Sequence, residues 1–279
     1  MNPKLLGFAL AALVLGATAC SGSSKVSVSA KSASASDTTS AVGPLDLGNG
    51  IVVTHVRMAV RKVELEDPVA PDGGTPGSDD GAGHTLVAHH EGDDSGRDHP
   101  EDDDDADEVK VGPCLIDIEG AALKGALTPI CEAQVPAGTF REIEVVIGVV
   151  PAALAGSNAG LAAMNGQSVI VDGTITTTAA DGATTTAPFS FQSTLHAEQK
   201  QESEIVVADG TPTNVTLTID PTGWFTAADG TTRLDPNDVA AKAQIEHNIK
   251  ASLKAFCDRD RDGDDDHGHH GHDDGVGHH

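Results

Sequence analysis

The sequence predicts a mostly β fold: an antiparallel β-sandwich with one C-terminal helix and long disordered segments. Three observations predict it. Apolar residues alternate with polar ones in several short runs, turn signals separate those runs, and no strand-helix alternation of the parallel kind is present. Only one stretch, near the C-terminus, has helical periodicity.

The first residues read as a targeting segment, a signal peptide over residues 1–19. Lys4 supplies a positive n-region and Leu5 to Leu15 a short apolar h-region. "GATAC" then ends at Cys20, and small residues before a Cys resemble the cleavage and lipidation box of bacterial lipoproteins. Cys20 is the expected lipidation site. The "SGSSKVSVSAKSASASDTTS" that follows has the composition of a flexible tether, so residues 20–47 are expected to link the lipid to the domain. No other apolar run approaches the ~20 residues of a spanning helix. The expected location is the bacterial cell envelope, lipid-anchored at the outer membrane, facing the periplasm or the surface.

The β-sandwich is expected over residues 48–256. "IVVTHVRMAVRKVELE" (Ile51 to Glu66) is a strand whose alternation changes phase at Arg61-Lys62, which predicts a bulge there. The Gly-, Asp- and His-rich stretch 67–108 lacks periodicity and apolar content and is expected to be a disordered insertion. "VKVGPCLIDI" resumes the strand pattern. "FREIEVVIGVV" places Ile143, Val145, Ile147 and Val149 on one face. "SVIVDGTITTT" and "APFSFQSTLHAEQ" flank a turn with Asp181-Gly182 at its tip, and "ESEIVV" and "NVTLTID" add two strands. The expected arrangement is immunoglobulin-like or transthyretin-like. Trp224-Phe225 is expected in the core, since the chain has no Tyr and few other large residues to fill one.

"LDPNDVAAKAQIEHNIKASLKAF" predicts a helix over 236–256. Asp235 is the expected N-cap and Pro236 the first helical residue; Ile245, Ile249, Leu253 and Phe256 form a docking stripe. Cys114 and Cys131 flank one compact stretch and are the best disulfide pair in an oxidising compartment. Cys257 could instead displace either partner.

The runs "VVTHVRMAVRKVELE", "IDIEG" and "AQVPAGTFREIEVVI" resemble a family of uncharacterised bacterial exported lipoprotein domains. In that family an early strand leads to a short element and then to a "vpaGtY"-type turn into a long strand. Val135, Pro136, Ala137, Gly138, Thr139 and Phe140 match that turn, with Phe for Tyr. The "GWF", "LDP" and "IEHNIKASLKAF" segments resemble endings of related exported proteins. The resemblance implies a lipid-tethered β-sandwich and supplies no catalytic residues. The long acidic insertion departs from the short hairpin expected there.

The formal charge is −26. Residues 67–108 hold fifteen acids and one arginine, and the tail 257–279 holds eight acids and two arginines. The acidity is therefore local to two segments, which also hold ten of the thirteen His. Such a chain avoids nucleic acid and attracts cations.

In the tail, "DRDRDGDDD" has the first half of a calcium loop. Asp258, Asp260 and Asp262 occupy positions one, three and five, and Gly263 allows the sharp turn at six. Asp264 and Asp266 fall at seven and nine. Position twelve is His269 where a bidentate Glu belongs, so the loop is partial, EF-hand-like or thrombospondin-repeat-like. His267, His269, His270, His272, His278 and His279, with His84, His89, His90 and His99 of the insertion, suit Zn²⁺, Ni²⁺ or Cu²⁺ bound weakly. His55, His196 and His247 read as surface or satisfied polar residues.

No nucleophile elbow, Walker loop, zincin motif or dinucleotide fingerprint is present, so no enzyme is expected and no organic cofactor. The expected function is divalent-cation binding by a lipid-anchored exported protein. The alternative is an adhesion or recognition module, binding a protein or glycan, whose acidic segments only solvate it.

Overall fold

The computed structural model describes residues 23–33, 43–66, 108–156, 158–263 and 265. The described strands, in chain order, are β1 (Ser23–Ser32), β2 (Leu45–Asp46), β3 (Ile51–Glu66), β4 (Glu108–Val111), β5 (Cys114–Glu119) and β6 (Thr128–Pro136). They continue with β7 (Gly138–Ile147), β8 (Val169–Thr178), β9 (Thr184–Ser193), β10 (Ala197–Val207), β11 (Thr213–Ile219) and β12 (Lys254–Cys257). Three short helices join them: α1 (Ala152–Ala155), α2 (Ala159–Ala163) and α3 (Lys242–Ala251). The fold is mostly β, as expected, and is arranged in two sheets. The smaller has the order β12-β11-β1-β6, and the larger follows the path β10-β7-β3-β8-β9, with β2, β4 and β5 also on β3. No helix among the described residues is long and apolar enough to cross a membrane.

The expected tether of residues 20–47 needs correction. Ser23–Ser32 is β1, an interior strand of the smaller sheet. Val26, Val28 and Ala30 point into the core while Ser27 and Ser29 point to the opposite face. This is a period-two strand inside a Ser- and Ala-rich composition. β1 runs parallel to β11, from Val26 opposite Thr213 to Ser32 opposite Ile219, and antiparallel to β6. The β1–β11 pair is the one parallel pairing among the described strands. Leu45–Asp46, also inside the expected tether, pairs with β3.

β3 is the spine of the larger sheet. Its C-terminal part pairs with β7 and its N-terminal part with β8. The hand-over is at Ala59, whose N–H donates to Ser168 and whose carbonyl accepts from Gly148. The bulge expected at Arg61-Lys62 is present as a register shift between Val60 and Lys62 against β7, and a second shift lies between Val53 and His55 against β8. Glu108 opens β4; the rest of the expected insertion lies outside the described residues.

One apolar cluster fills the space between the sheets. Val26, Val28, Val215 and Leu217 meet Val56, Met58, Val145 and Ile147 there. The Val135–Phe140 segment carries the chain from one sheet to the other: β6 ends at Pro136, β7 begins at Gly138, and only Ala137 lies between. The disulfide joins the sheets as well. Cys114 on β5 bonds Cys131 on β6, with Cα atoms 5.9 Å apart. Cys257 is buried on β12 and takes no part in it.

The C-terminal helix is shorter than its apolar stripe suggests. Ile245 and Ile249 dock on the core as expected, but α3 ends at Ala251 and residues 254–257 form β12 against β11. Ser252 stops the helix: its Oγ donates to the Ile249 carbonyl at 2.7 Å and accepts from Trp224 Nε1 at 2.8 Å. The open edge of β11 then recruits the next four residues, and this tertiary pairing overrides helix propensity. The expected cap also moves. Asp235 accepts from Asn237 N in a turn, and Asp238 caps the 3-10 turn Val239–Ala241 that leads into α3. Trp224 and Phe225 are core residues, with Phe225 edge-on to Phe189 at 5.5 Å.

At the sheet borders, β9 contains Pro188 and β10 carries Glu198, Lys200, Glu202 and Glu204 at alternate positions. β6 contains Pro129 and Pro136, and β12 is four residues long.

Removing residues 1–32 takes away the interior strand of the smaller sheet. That truncation is expected to lose its cooperative thermal transition by circular dichroism, whereas removing residues 1–22 leaves the transition in place. The Cys114→Ala/Cys131→Ala double variant opens a link with a sequence separation of 17, and is expected to lose on the order of 3 kcal/mol in urea unfolding.

Candidate metal centre

The outer face of the smaller sheet is polar yet buried. Ser27 and Ser29 of β1 and Asn214 and Thr216 of β11 line it, and each is nearly inaccessible. The parallel register brings them together: Ser27 lies opposite Asn214 and Ser29 opposite Thr216. Asn214 is the hub. Its Oδ1 accepts from Ser27 Oγ at 3.1 Å and from Ser29 Oγ at 3.0 Å, and its Nδ2 donates to Thr216 Oγ1 at 2.9 Å.

Asp258 follows β12 and turns onto this face. It is 0% exposed. Its Oδ2 accepts from Thr216 Oγ1 at 2.6 Å, from Gly263 N at 3.0 Å and from Asn214 Nδ2 at 3.3 Å. Its Oδ1 is buried and has no hydrogen-bond donor among the described residues. Such an oxygen is costly, because buried polar atoms are normally paired and a buried charge more strictly so.

The loop after Asp258 folds across β1. Asp262 N donates to Asp260 Oδ1 at 3.3 Å. Arg261 has φ +61° and its Nη2 donates to Ser27 Oγ at 3.1 Å. Lys31 Nζ donates to the Asp262 carbonyl at 3.1 Å. Gly263 has φ +83°, and a Cβ there would lie 2.4 Å from Lys31 Cδ. Glycine suits the left-handed turn here, whereas the flexible Lys31 end above it could move aside.

Asp258, Asp260 and Asp262 each place a carboxylate oxygen within 4.8 Å of the others. Calcium–oxygen distances of about 2.3–2.6 Å let two ligand oxygens stand up to about 5 Å apart, so the three can share one hard cation. The backbone N–H at position six holds Oδ2 of the first aspartate. The residues present therefore fit a divalent cation bound by oxygen. The expected entry from a helix is corrected, because β12 leads into the loop.

Of the other expected ligands, Asp264, Asp266, His267, His269, His270, His272, His278 and His279 lie outside the described residues, as do His84, His89, His90, His99 and Cys20. Asp265 is described and exposed. His196 and His247 are exposed, and His55 Nε2 lies 2.5 Å from Asp117 Oδ1 on the outer face of the larger sheet.

A second acidic group, which sequence reasoning missed, joins Glu64 and Glu66 of β3 to Glu144 of β7. Its chemistry differs, because lysines meet it. Lys110, Glu64, Glu144 and Lys200 form one cross-strand row over four adjacent strands. Lys62 pairs with both Glu64 and Glu144; Lys200 Nζ lies 2.8 Å from Glu144 and 3.1 Å from Glu142. Burial pushes the Glu144 carboxyl up, but its hydrogen bonds from Lys200 and Lys62 outweigh that and hold it below the usual glutamate value. Hydrogen bonds to Glu144 and Glu142 raise Lys200. Burial lowers Lys62, yet Glu64 and Glu144 leave it raised overall. The alternating Lys62-Glu64-Glu66 and Glu142-Glu144 were the available signal, but only the strand register shows that they meet.

No family model, curated protein or solved structure matches the chain.

The network fixes a pH dependence. A depressed Glu144 contributes stability above the ordinary glutamate value of about 4.5, lost as pH falls through its lower folded value. Raised Lys62 and Lys200 contribute below the ordinary lysine value of 10.5, and that part is lost as pH rises through their folded values. Urea midpoints of Glu144→Gln are expected to show a shallower acid limb than the parent. At neutral pH the variant is expected to lose on the order of 1 kcal/mol, since two half-exposed lysines regain water.

Proposed function

We propose that this protein is a lipid-anchored, exported, non-enzymatic binder of divalent cations. Its selective site is the Asp258–Gly263 loop, with Ca²⁺ as the ion. The orphaned Oδ1 of Asp258, fully buried beside Asp260 and Asp262, carries the reading. A cation there would satisfy an oxygen that has no donor among the described residues, and it would neutralise carboxylate charge. Asp264 and Asp266 continue the ligand spacing. The His of the tail and of the insertion add weaker binding of Zn²⁺, Ni²⁺ or Cu²⁺. The resemblance to exported lipoprotein domains and the box ending at Cys20 support the anchored location.

The loop lies on β1, so cation binding acts on the fold as well as on the tail. A ligand that binds only the folded state stabilises it by mass action. The test is isothermal titration of residues 23–279 with Ca²⁺ and with Zn²⁺, together with thermal melts. Ca²⁺ is expected to bind with about one-to-one stoichiometry and to raise the melting temperature. Asp260→Asn/Asp262→Asn, which changes exposed residues, is expected to weaken Ca²⁺ binding at least tenfold while the apo melting temperature stays within a few degrees. Unchanged Ca²⁺ isotherms in that variant would remove the loop from the account, and no Ca²⁺ heat below millimolar concentration would end the calcium reading. The Zn²⁺ titration reports on the His segments separately.

A further inference from the structure

We propose that the domain stands directly on the lipid surface, with the start of β1, the β6–β7 crossover and the β10–β11 connection facing the bilayer. This rests on lipidation at Cys20, and it adds an orientation that the anchor alone does not supply.

The chain is held from the first residues of β1. Ser23 lies opposite Pro136 and Ser24 opposite Val135. Ser24 is 3% exposed and its Oγ donates to the Thr211 carbonyl at 2.5 Å. Only three residue steps separate Cys20 from Ser23. A fully extended chain spans at most about 3.6 Å per residue, so the lipidated residue lies no more than about 11 Å from Ser23. The residues that would have let the domain swing away from the membrane are instead hydrogen-bonded inside a sheet.

The register shows what shares this end. Pro136, Ala137 and Gly138 cross between the sheets here, and Gly138 lies opposite Val207 on β10. The β10–β11 connection follows, residues 208–212, all exposed. Val206, the residue before Val207, is 45% exposed. Across residues 136–139 and 206–212 Asp209 is the one charged side chain. Glu66 of β3 and Glu108 of β4, which bound residues 67–107, also lie toward this end, Glu66 opposite Glu142 of β7, so the orientation rests on the short link from Cys20 to β1 and not on a lack of charge. The opposite end of β3 carries the β8–β9 hairpin, whose tip at Asp181 points away from the surface.

The test uses the lipidated full chain in vesicles of phosphatidylcholine with nitroxide-labelled head groups. Bimane is attached at Asp209→Cys or at Asp181→Cys; Cys257 is buried and Cys114 and Cys131 are bonded, so each variant labels at one position. Quenching at position 209 is expected to exceed that at 181 by several-fold. Inserting twelve Gly/Ser residues between Gly22 and Ser23 is expected to abolish the difference. Equal quenching at 209 and 181 in a membrane-bound parent overturns the orientation and leaves lipidation standing. Failure of the parent to join vesicles, or equal binding by Cys20→Ser, overturns the anchor itself and the orientation with it.

Discussion

The smaller sheet exists only because β1 lies inside it. β11 with β12 forms one part and β6 the other, and β1 bonds both, parallel to one and antiparallel to the other. Its inward residues, Val26, Val28 and Ala30, close the core over Val56, Met58 and Val145. Its outward serines hold Asn214, which in turn helps to fix Asp258. Every feature of the candidate centre therefore traces to a segment of ten residues near the N-terminus. The parallel direction matters, because it sets Ser27 and Ser29 beside Asn214 and Thr216 in the order the carboxylate needs.

The candidate centre combines one buried carboxylate with two exposed ones. Asp260 and Asp262 are exposed and cost little. Asp258 is buried, and three donors crowd one oxygen while the other has none among the described residues. The contrast with the glutamates of β3 and β7 is instructive. There, lysines on three strands meet the carboxylates, and the balance is internal. Two acidic groups of similar composition thus sit in different surroundings, one in a row of strand-borne lysines and one on a loop that crosses β1.

Much of the fold could be read from alternation. Ile143, Val145 and Ile147 face the core as their spacing requires, and the phase change at Arg61-Lys62 is a true register shift. Two elements were not legible, for different reasons. In β1 the alternation of Val26, Val28 and Ala30 was present, but serine-rich surroundings gave it the composition of a linker. In β12 the apolar residues continue a helical stripe, and nothing local reveals that β11 has an open edge. At the centre, Asp258, Asp260, Asp262 and Gly263 were visible as a spacing. Their partners Ser27, Asn214 and Thr216 were not, because the chain brings them together from far apart and ordinary hydroxyls carry no motif.

An open sandwich has edges, and each unpaired edge is an invitation to another strand. Four border strands, β9, β10, β6 and β12, decline it. Pro188 interrupts the donor row of β9, since proline has no N–H to offer. β10 sets charges at alternate positions, β6 carries two prolines, and β12 is four residues long. Under the proposed anchoring, neighbours would meet in two dimensions at high local concentration, where ordinary backbone hydrogen bonding favours edge-to-edge stacking. The prolines, alternating charges and short strand at these borders disfavour that stacking.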